Sequence, residues 1–371
     1  MSRSNGEADD RREPPRVLFT GFPGFLGSAL IERLLARRDG PIACLIQPAY
    51  RDLAERRAAD LAGPDSDRIR LYEGDVTVPD LGLGDGALEE LSSVSELYHL
   101  AAVYDLAVDP DLADAVNVRG TEHVLDVAED LEVDRFQYVS TCYVSGRYDG
   151  VFTEDHLREG QAFNNHYERT KYEAEVAVQE RMAEGLPATI YRPAIVVGDS
   201  ETGETGKYDG PYYLIRFILS QPSICSITTS LPGTADAEFN VVPRDFVVDA
   251  IAHLSGREDT VGEVYQLCDP APLSVPAFVD AVADATGHRV VSLPGTKSAT
   301  TRLMSALESR SDVPAEPATI DYLDHPTRYA CPNALRALEG TGIVCPPFES
   351  YVDDLVSFVR ENPDVGDEPM V

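Results

Sequence analysis

The fold of this chain is decided by the stretch Val17-Leu-Phe-Thr20-Gly21-Phe-Pro-Gly24-Phe-Leu-Gly27. A short β-rich run leads into three glycines spaced G-x-x-G-x-x-G, and apolar residues at helical spacing follow them. Glycines let a backbone come close to a pyrophosphate, and the N-terminus of the following helix favours an anion. The context therefore predicts a βα unit that binds a dinucleotide. A tight turn that serves only helix–strand packing is the alternative.

Strand-like runs alternate with helical patterns through the first half of the chain. After the run at 16–20 they recur at 42–46, 69–72, 96–101, 136–141 and 188–191. Such alternation is typical of a parallel, doubly wound sheet. The sequence therefore predicts an α/β fold of the Rossmann type.

The later chain is less regular and predicts a smaller lobe. Glycine and proline punctuate residues 198–240, and helical patterns follow near 274–286, 297–309 and 348–360. The β-rich run 261–267 is placed to return to the main sheet. We expect a discontinuous arrangement: a disordered tail at 1–15, a dinucleotide-binding domain at 16–197 with a return near 240–268, a substrate-binding lobe at 198–239 and 269–361, and a flexible tail at 362–371.

Charge and composition exclude some classes of partner. The 371 residues are 43% hydrophobic, enough for a large core, but carry 31 basic against 64 acidic residues, a formal charge of −33. Such a surface repels phosphate, which argues against binding to nucleic acid or an anionic membrane. Only Lys171, Lys207 and Lys297 are lysines. A carboxylate-rich, lysine-poor surface predicts a halophilic protein, and an ordinary acidic solvated face is the alternative.

Cysteine spacing and the N-terminus bear on the compartment. The six cysteines form no C-x-x-C pair and no cluster at zinc spacing, which indicates free thiols and no metal site. Residues 1–15 have no apolar core of the kind found in secretory signals. No run is long enough to cross a membrane. We therefore expect a cytoplasmic protein without an integral membrane segment.

Tyr167 and Lys171 are the first candidates for catalysis. They stand four residues apart in a helical pattern, so they share one face. An adjacent ammonium is expected to lower the pKa of a phenol and make it useful for acid–base chemistry. Ser140 and Thr141 end the fifth strand at the edge where ligands bind, and a hydroxyl there can hold a carbonyl oxygen. An exposed helix pair is the alternative.

The end of the second strand bears on the choice of cofactor. A carboxylate there would bind the ribose of NAD, but this chain has Gln47, with Arg51, Arg56 and Arg57 just beyond. NADP is therefore the predicted cofactor, and NAD stays the alternative. The three arginines could instead belong only to a helix face.

These motifs together resemble an extended short-chain dehydrogenase/reductase. The family's order is followed by the glycine loop, Asp75, His99 to Ala102, Asn117, Ser140-Thr141, Tyr167 with Lys171, and Arg192-Pro193. By position, the resemblance implies that Thr141 orients a carbonyl, Tyr167 exchanges its proton and Lys171 binds the nicotinamide ribose. Asn117 would support the active-site helix or a water relay. The implied cofactor contacts are Gly21, Gly24, Phe25, Leu26, Gly27, Gln47, Arg51, Asp75, Val76, Ala101, Ala102, Tyr167, Lys171, Pro193 and Ile195.

The loop from Arg192 to Gly203 is similar to the fatty acyl-CoA reductase and thioester-reductase branch, whose pattern G-x-x-x-T-G it matches at 198–203. The Ser-Thr-x-x-Val run at 140–144 agrees. Gln47 departs from the arginine common in that branch, and no carrier or adenylation domain accompanies these residues. The resemblance implies NAD(P)H-dependent reduction of an acyl thioester or aldehyde, with the apolar strip 211–219 as an acyl channel or as core.

Other functions stay open on the sequence. An NAD-dependent nucleotide-sugar epimerase or dehydratase would share the cofactor and the Tyr/Lys pair. A hydroxysteroid or alcohol dehydrogenase would run the same half-reaction without releasing a thiol. A non-catalytic module that senses NADP is the alternative of a different class. In each case the expected partner is a small molecule, and the oligomeric state is open, with a homodimer among the options.

Overall fold

The structure is a computed structural model, and it describes residues 13–64, 66–104, 108–224, 226–230, 236–296 and 322–366. The helical pattern expected at 297–309 lies outside the described residues, as do 1–12 and 367–371 of the expected tails.

The strands follow the runs read from the sequence. In chain order they are β1 (Val17–Thr20), β2 (Ile42–Ile46), β3 (Ile69–Glu73), β4 (Glu96–His99), β5 (Arg135–Val139), β6 (Gly150–Phe152), β7 (Ala188–Pro193), β8 (Ile195–Val197), β9 (Ser226–Ser230), β10 (Glu238–Phe239), β11 (Val241–Pro243), β12 (Val264–Leu267), β13 (Leu273–Ser274), β14 (Val290–Pro294) and β15 (Thr327–Tyr329).

The helices fill the connections between these strands. They are α1 (Phe25–Arg37), α2 (Arg51–Ala62), α3 (Asp85–Glu90), α4 (Pro110–Ala113), α5 (Gly120–Asp130), α6 (His166–Glu184), α7 (Pro211–Leu219), α8 (Arg244–Leu254), α9 (Val275–Thr286), α10 (Pro332–Leu338) and α11 (Val352–Glu361). A π-helical segment, Asp114–Arg119, joins α4 to α5.

Seven strands form the main sheet, in the order β12-β7-β5-β4-β1-β2-β3, and every neighbouring pair is parallel. All residues of β1 and β2 are buried, as expected for strands covered by helices on both faces. The chain order reverses on either side of β1, which creates a crevice at the carboxyl ends of β1 and β4. The predicted α/β doubly wound sheet is confirmed.

Helices cover both faces of the main sheet. α1 buries Leu30, Ile31 and Leu34 on one face, where residues of α8 join the same core. α5 and α6 cover the other face with side chains such as Leu125 and Val178. Because these side chains recur at helical spacing, each helix turns one apolar stripe towards the sheet.

The late β-rich run does return to the main sheet. β12 pairs with β7, with Val264 opposite Ile190, and closes the edge of the sheet. The small sheets pair β8 with β11, β9 with β14, β10 with β13 and β6 with β15. Several of these pairs join segments far apart in sequence. The small sheets are therefore not each formed from one continuous stretch of the chain.

The lobe has a core of its own, and it is built in part from the apolar strip 211–219. The strip forms α7, whose Tyr212, Ile215 and Ile218 are buried in a cluster with Phe278 of α9 and Leu355 of α11. Among the described residues that line the main cleft, none comes from α7. The strip is therefore core, because its apolar face is already covered by two helices.

Part of the expected C-terminal tail is held in place. The backbone amide of Tyr208 donates to the carbonyl of Gly366 at 3.1 Å, and its hydroxyl donates to the carbonyl of Asn362 at 2.8 Å. Two residues of the segment 362–366 therefore contact Tyr208 in the described structure. In the described residues no helix is both long enough and apolar enough to span a bilayer.

Candidate active site

A cleft of about 820 Å³ opens at the carboxyl ends of the main-sheet strands. Thr20 ends β1 there, Val139 ends β5 and Pro193 ends β7, and all three line the cleft. A segment of the lobe, residues 204–209, forms part of the opposite wall. The cleft is therefore long enough to join the glycine loop to the predicted catalytic residues.

The glycine loop lines one end of the cleft. Gly21 has φ +95°, and a Cβ there would lie 2.8 Å from the backbone of Leu100. A Cβ on Gly27 would overlap the carbonyl oxygen of Gly21. α1 begins at Phe25 with no side chain capping its first amides, because its N-cap is Gly24. This cradle fits a dinucleotide pyrophosphate.

α6 carries the tyrosine and lysine into the cleft. Asn165 starts the helix by accepting a hydrogen bond from the amide of Glu168 at 2.9 Å. Tyr167 then lies in the first turn and Lys171 one turn later, and both line the cleft. Thr141 follows β5 and reaches the same place. The structure thus brings together the three residues that the sequence grouped.

Tyr167 is buried against Thr141 and Tyr104. The ring of Tyr104 meets that of Tyr167 edge-on at 4.9 Å, and the Thr141 hydroxyl donates to the carbonyl of Pro193 at 3.4 Å. Burial raises the pKa of Tyr167 well above its usual value, the nearby Thr141 hydroxyl opposes this, and the charges of Glu168 and Asp209 add to it. The phenol therefore keeps its proton at neutral pH.

A contact between Lys171 and Tyr167 was expected, but the lysine has other partners. Its ammonium donates to the hydroxyl of Tyr138 at 3.0 Å and to the carbonyl of Val139 at 2.9 Å. Burial lowers the pKa of Lys171 to about 7, against the opposing charge of Glu175. The expected lowering of the Tyr167 pKa by Lys171 is wrong for this arrangement, because the ammonium is held at the end of β5.

A buried ion pair lies directly beneath these residues. Arg192 of β7 and Glu175 of α6 have fully buried side chains 2.6 Å apart, and Ser140 donates to Glu175 at 2.5 Å. Glu175 stands four residues after Lys171, so a Lys-x-x-x-Glu spacing was the available signal for it. Sequence analysis missed this residue, which ties together the three elements that carry Thr141, Lys171 and Pro193.

Asn117 lies outside the described lining of the cleft. Its side-chain amide donates to the carbonyl of Val103 at 3.2 Å and to the hydroxyl of Thr170 at 3.0 Å, while its oxygen accepts from the amide of Val103 at 2.8 Å. Both amide hydrogens are thereby used. Asn117 thus contacts α6, as expected of a residue that supports the active-site helix, and it does not itself line the cleft.

His99 is a packed core histidine. Its ring nitrogens lie 2.8 Å from the Thr20 hydroxyl and 3.0 Å from the Thr121 hydroxyl. Burial, with the nearby charge of Lys171, lowers its pKa to about 3, so the ring is neutral. It joins β1 and β4 to α5 behind the cleft.

The far end of the cleft holds the residues predicted to meet the adenosine. Gln47, Asp75, Val76 and Arg57 all line it. Asp75 accepts from the amide and the hydroxyl of Thr77 at 2.8 and 2.7 Å, and from the Gln47 amide at 3.4 Å. Its carboxylate is thus engaged by protein donors on both oxygens.

Arg51 and Ile195, which were also predicted to contact the cofactor, are not among the described residues that line the cleft. Arg51 binds Glu73 at 2.5 Å and Glu55 at 2.9 Å, because it lies on the side of α2 that faces β3. Ile195 is also absent from the described lining, where Val196 takes the place next to Pro193. The remaining predicted contacts do line it: Gly21, Gly24, Phe25, Leu26, Gly27, Gln47, Asp75, Val76, Ala101, Ala102, Tyr167, Lys171 and Pro193.

The lobe wall was not predicted. Lys207 lies 3.2 Å from Asp209 and 5.4 Å from the centre of the Tyr104 ring, and Arg244 faces the glycine loop. These residues follow the Thr202-Gly203 motif or begin α8, and no local pattern marks them. In the part of the chain that the structure describes, no group of three or more His, Cys, Asp or Glu is arranged to hold a metal.

Comparisons with known proteins identify the family and the fold. An NAD-binding family model described as male sterility protein matches residues 19–251. The terminal R domain of the myxalamid PKS-NRPS pathway has a structure with a TM-score of 0.77 at 26% identity, covering 94% of this chain and 91% of that one. The reductase (R) domain of a nonribosomal peptide synthetase from Mycobacterium tuberculosis gives a TM-score of 0.73 at 22% identity, with 94% and 92% covered, and shows the fold alone.

Among curated proteins, the aldehyde reductase lnaA of Aspergillus flavus is 30% identical over 274 residues, which are 69% of this chain and 26% of that protein. A linear gramicidin synthase of Brevibacillus parabrevis is 29% identical over 276 residues, 68% of this chain. The matched part is only 5% of the length of that synthase. The chain thus spans a small part of the relatives that it matches.

Proposed function

The chain belongs to the male sterility protein family of NAD-binding extended short-chain dehydrogenases/reductases, and from this premise we propose that it reduces an acyl thioester with NADPH. One observation carries the proposal: Thr141, Tyr167 and Lys171 line the same cleft as the glycine loop. The likeness to the myxalamid R domain supports the reductase assignment.

The cofactor would lie along the cleft. The glycine loop and the first turn of α1 would hold the pyrophosphate, and Pro193 and Lys171 would hold the nicotinamide end. When bound, the reduced nicotinamide supplies a hydride to the carbonyl carbon of the substrate. Side chains of this chain would hold the carbonyl and supply the proton.

Tyr167 acts as the acid and Thr141 positions the carbonyl. Because its pKa is raised by burial, the Tyr167 phenol is protonated at neutral pH and can donate to the carbonyl oxygen as negative charge develops there. The Thr141 hydroxyl, which lines the same cleft, would hold the same oxygen. Lys171 is placed beside Val139 to donate to the ribose. A protonated tyrosine suits reduction better than oxidation.

Addition of hydride and proton to a thioester gives a hemithioacetal. Its carbon–sulfur bond then breaks, the sulfur leaves with the hydroxyl proton as a thiol, and an aldehyde remains. A second hydride and proton would convert the aldehyde into the alcohol by the same Tyr167 chemistry. An aldehyde substrate would enter at this second stage.

We further propose NADP as the preferred cofactor. The second strand ends in Gln47 rather than a carboxylate, and Arg57 lines the same end of the cleft. Asp75, which follows β3, accepts hydrogen bonds from Thr77 and Gln47 and so does not replace the missing carboxylate at the end of β2. Residues 16–197, with the return near 240–268, would form the cofactor domain, and 198–239 with 269–361 the lobe.

The test is a substrate panel with NADPH and NADH in molar KCl. Acyl thioesters of phosphopantetheine and N-acetylcysteamine, the matching aldehydes and a UDP-sugar would be compared. We expect consumption of NADPH with one thiol released for each aldehyde formed. Turnover of aldehydes without any thioester would contradict the thioester step. Conversion of the UDP-sugar would instead indicate an epimerase, and cofactor binding without turnover of any substrate would indicate a sensor.

A further inference from the structure

The charge balance of the cleft differs from that of the chain. Acidic residues outnumber basic ones about two to one over the sequence, at 64 against 31. The described lining of the cleft instead holds four acidic side chains and four basic ones, which are Arg57, Lys171, Lys207 and Arg244. A protein with a net charge of −33 repels an anionic ligand at long range. The basic side chains that line the cleft would offset this repulsion where such a ligand binds.

Arg244 is placed against the glycine loop from the lobe side. It is the first residue of α8, and its guanidinium carbon lies 5.0 Å from the centre of the Phe25 ring. Phe25 is itself the first residue of α1. The guanidinium therefore faces the helix end whose uncapped amides form the anion cradle.

The donors of Arg244 are poorly used by the protein. Its nearest carboxylates are Glu204 at 3.5 Å and Asp199 at 3.6 Å, longer than the roughly 2.7–2.9 Å of a charge-assisted hydrogen bond. Among the described residues its side chain forms no hydrogen bond. Yet the side chain is only 16% exposed. The guanidinium is therefore largely enclosed, has two carboxylates beyond hydrogen-bonding distance, and keeps donors free for a further anionic acceptor.

We propose that Arg244 is a second anion-binding residue of the dinucleotide site, and that it binds the pyrophosphate opposite the N-terminus of α1. A planar guanidinium suits two phosphate oxygens at once. Glu204 holds Arg244 in the cleft and competes with the pyrophosphate for it. This inference rests on dinucleotide binding and is independent of which carbonyl compound is reduced.

Cofactor binding tests the proposal without any substrate. Dissociation constants of NADPH, ADP-ribose and 2′-AMP would be measured by calorimetry for the wild type and Arg244→Gln. We expect NADPH and ADP-ribose to bind about tenfold more weakly in the variant, the scale of one lost charged hydrogen bond. The affinity for 2′-AMP, which has no pyrophosphate, should be unchanged. The slope of log Kd against log salt should also become shallower for NADPH.

Arg33→Gln is the matched control. Arg33 lies on α1 and pairs with Asp249 of α8 at 2.6 Å, so its substitution removes the same charge from the same helix pair outside the cleft. It should leave all three dissociation constants unchanged. Thermal melts of both variants would establish that they fold, and Arg244→Lys, which keeps the charge but not the planar fork, should weaken NADPH binding by less than Arg244→Gln.

Glu204→Gln removes the competing carboxylate, so it should change NADPH binding in the opposite direction to Arg244→Gln. It should lower the dissociation constant of NADPH, and by less in the double variant that also carries Arg244→Gln. Unchanged affinity for NADPH in Arg244→Gln would overturn the proposal, as would equal weakening of 2′-AMP. An unchanged NADPH affinity with a raised KM for the phosphopantetheine thioester, but not for the N-acetylcysteamine one, would assign Arg244 to a substrate phosphate instead. Failure to find any reduced substrate would refute the proposed function and leave this inference standing.

Discussion

At the residue scale, the hydroxyl of Tyr167 is a buried acid. The side chain is 7% exposed, and burial raises the pKa of its hydroxyl, which the nearby Thr141 hydroxyl opposes. Lys171 and Glu175 lie behind it, and neither is exposed to solvent. In the proposed reduction the proton would therefore come from a group that still carries it at neutral pH.

Removing this hydroxyl should abolish most turnover and leave the fold intact. For Tyr167→Phe we expect activity to fall by at least about a hundredfold, the scale of a lost acid group. NADPH binding and the melting temperature should stay close to wild type, because the ring keeps its edge contact with Tyr104. Tyr72→Phe, which alters a partly exposed tyrosine bonded to Glu90 outside the cleft, is the control. Wild-type turnover in Tyr167→Phe would refute the acid assignment.

Lys171 should make stability depend on pH in the alkaline range. Its pKa in the folded chain is about 7, below that of an unfolded lysine, so between these values the unfolded chain binds one more proton. Stability then rises with pH over this window, by at most about 1.4 kcal/mol per pH unit. Below about pH 7 this contribution no longer changes.

The variant Lys171→Met removes that titration. The free energy of unfolding would be measured by denaturant titration from about pH 6 to about pH 10, the range over which the lysine titrates. The difference between wild type and Lys171→Met should grow in favour of the wild type as pH rises. Parallel profiles would mean that the lysine titrates normally in the folded chain.

At the element scale, β5, α6 and β7 are joined by one buried pair. Glu175 accepts from Arg192 of β7 and Ser140 after β5, so it sets how the end of each strand meets α6. Arg192 also donates to the carbonyl of His156 at 2.9 Å. Removing the Glu175 carboxylate is costly, because Arg192 would then be a buried charge without its partner.

The variant Glu175→Gln should therefore lose about 3–5 kcal/mol of stability, the cost of breaking a buried pair. Glu180→Gln on the same helix is the control, because the Arg158–Glu180 pair is exposed and should contribute at most about 1 kcal/mol. Glu175 also opposes the lowering of the Lys171 pKa, so the alkaline rise in stability should begin at a lower pH in Glu175→Gln. Equal effects of the two variants would contradict the positioning role.

The elements also show where sequence reasoning stops. The main-sheet strands were predicted because each is a β-rich run that alternates with a helical pattern. The runs at 96–101 and 136–141 were predicted too long, because the chain leaves the sheet after His99 and Val139 to line the cleft. Tyr167 and Lys171 were found from spacing within one helix. Glu175 with Arg192, and Arg244 with Phe25, meet only through tertiary packing, so no local pattern could pair them.

At the scale of the whole molecule, the two parts of the chain meet around the cleft. The cradle comes from the first βα unit, whereas Lys207, Asp209 and Arg244 come from segments that follow much later in the sequence. Composition predicted the acidic surface and the scarcity of lysine. It could not show that basic side chains gather in the cleft, because that depends on how the lobe folds back over the glycine loop.

The net charge of −33 predicts that salt stabilises the fold. Carboxylates on one surface repel each other, and their repulsion is greater in the compact state than in the unfolded chain. The Debye length falls from about 10 Å at 0.1 M to about 3 Å at 1 M, so most of the repulsion should be screened within that range. The melting temperature should therefore rise steeply up to about 1 M KCl and more slowly beyond it.

Sucrose separates screening from general exclusion of cosolute. It also stabilises folded proteins, but it leaves electrostatic repulsion in place, so it should raise the melting temperature without the steep early phase. Lowering the pH towards the sequence pI of about 4.4 would discharge carboxylates, and the early salt effect should then shrink. A melting temperature that does not change with KCl at neutral pH would mean that the acidic face is an ordinary solvated one, and the halophilic prediction would be wrong.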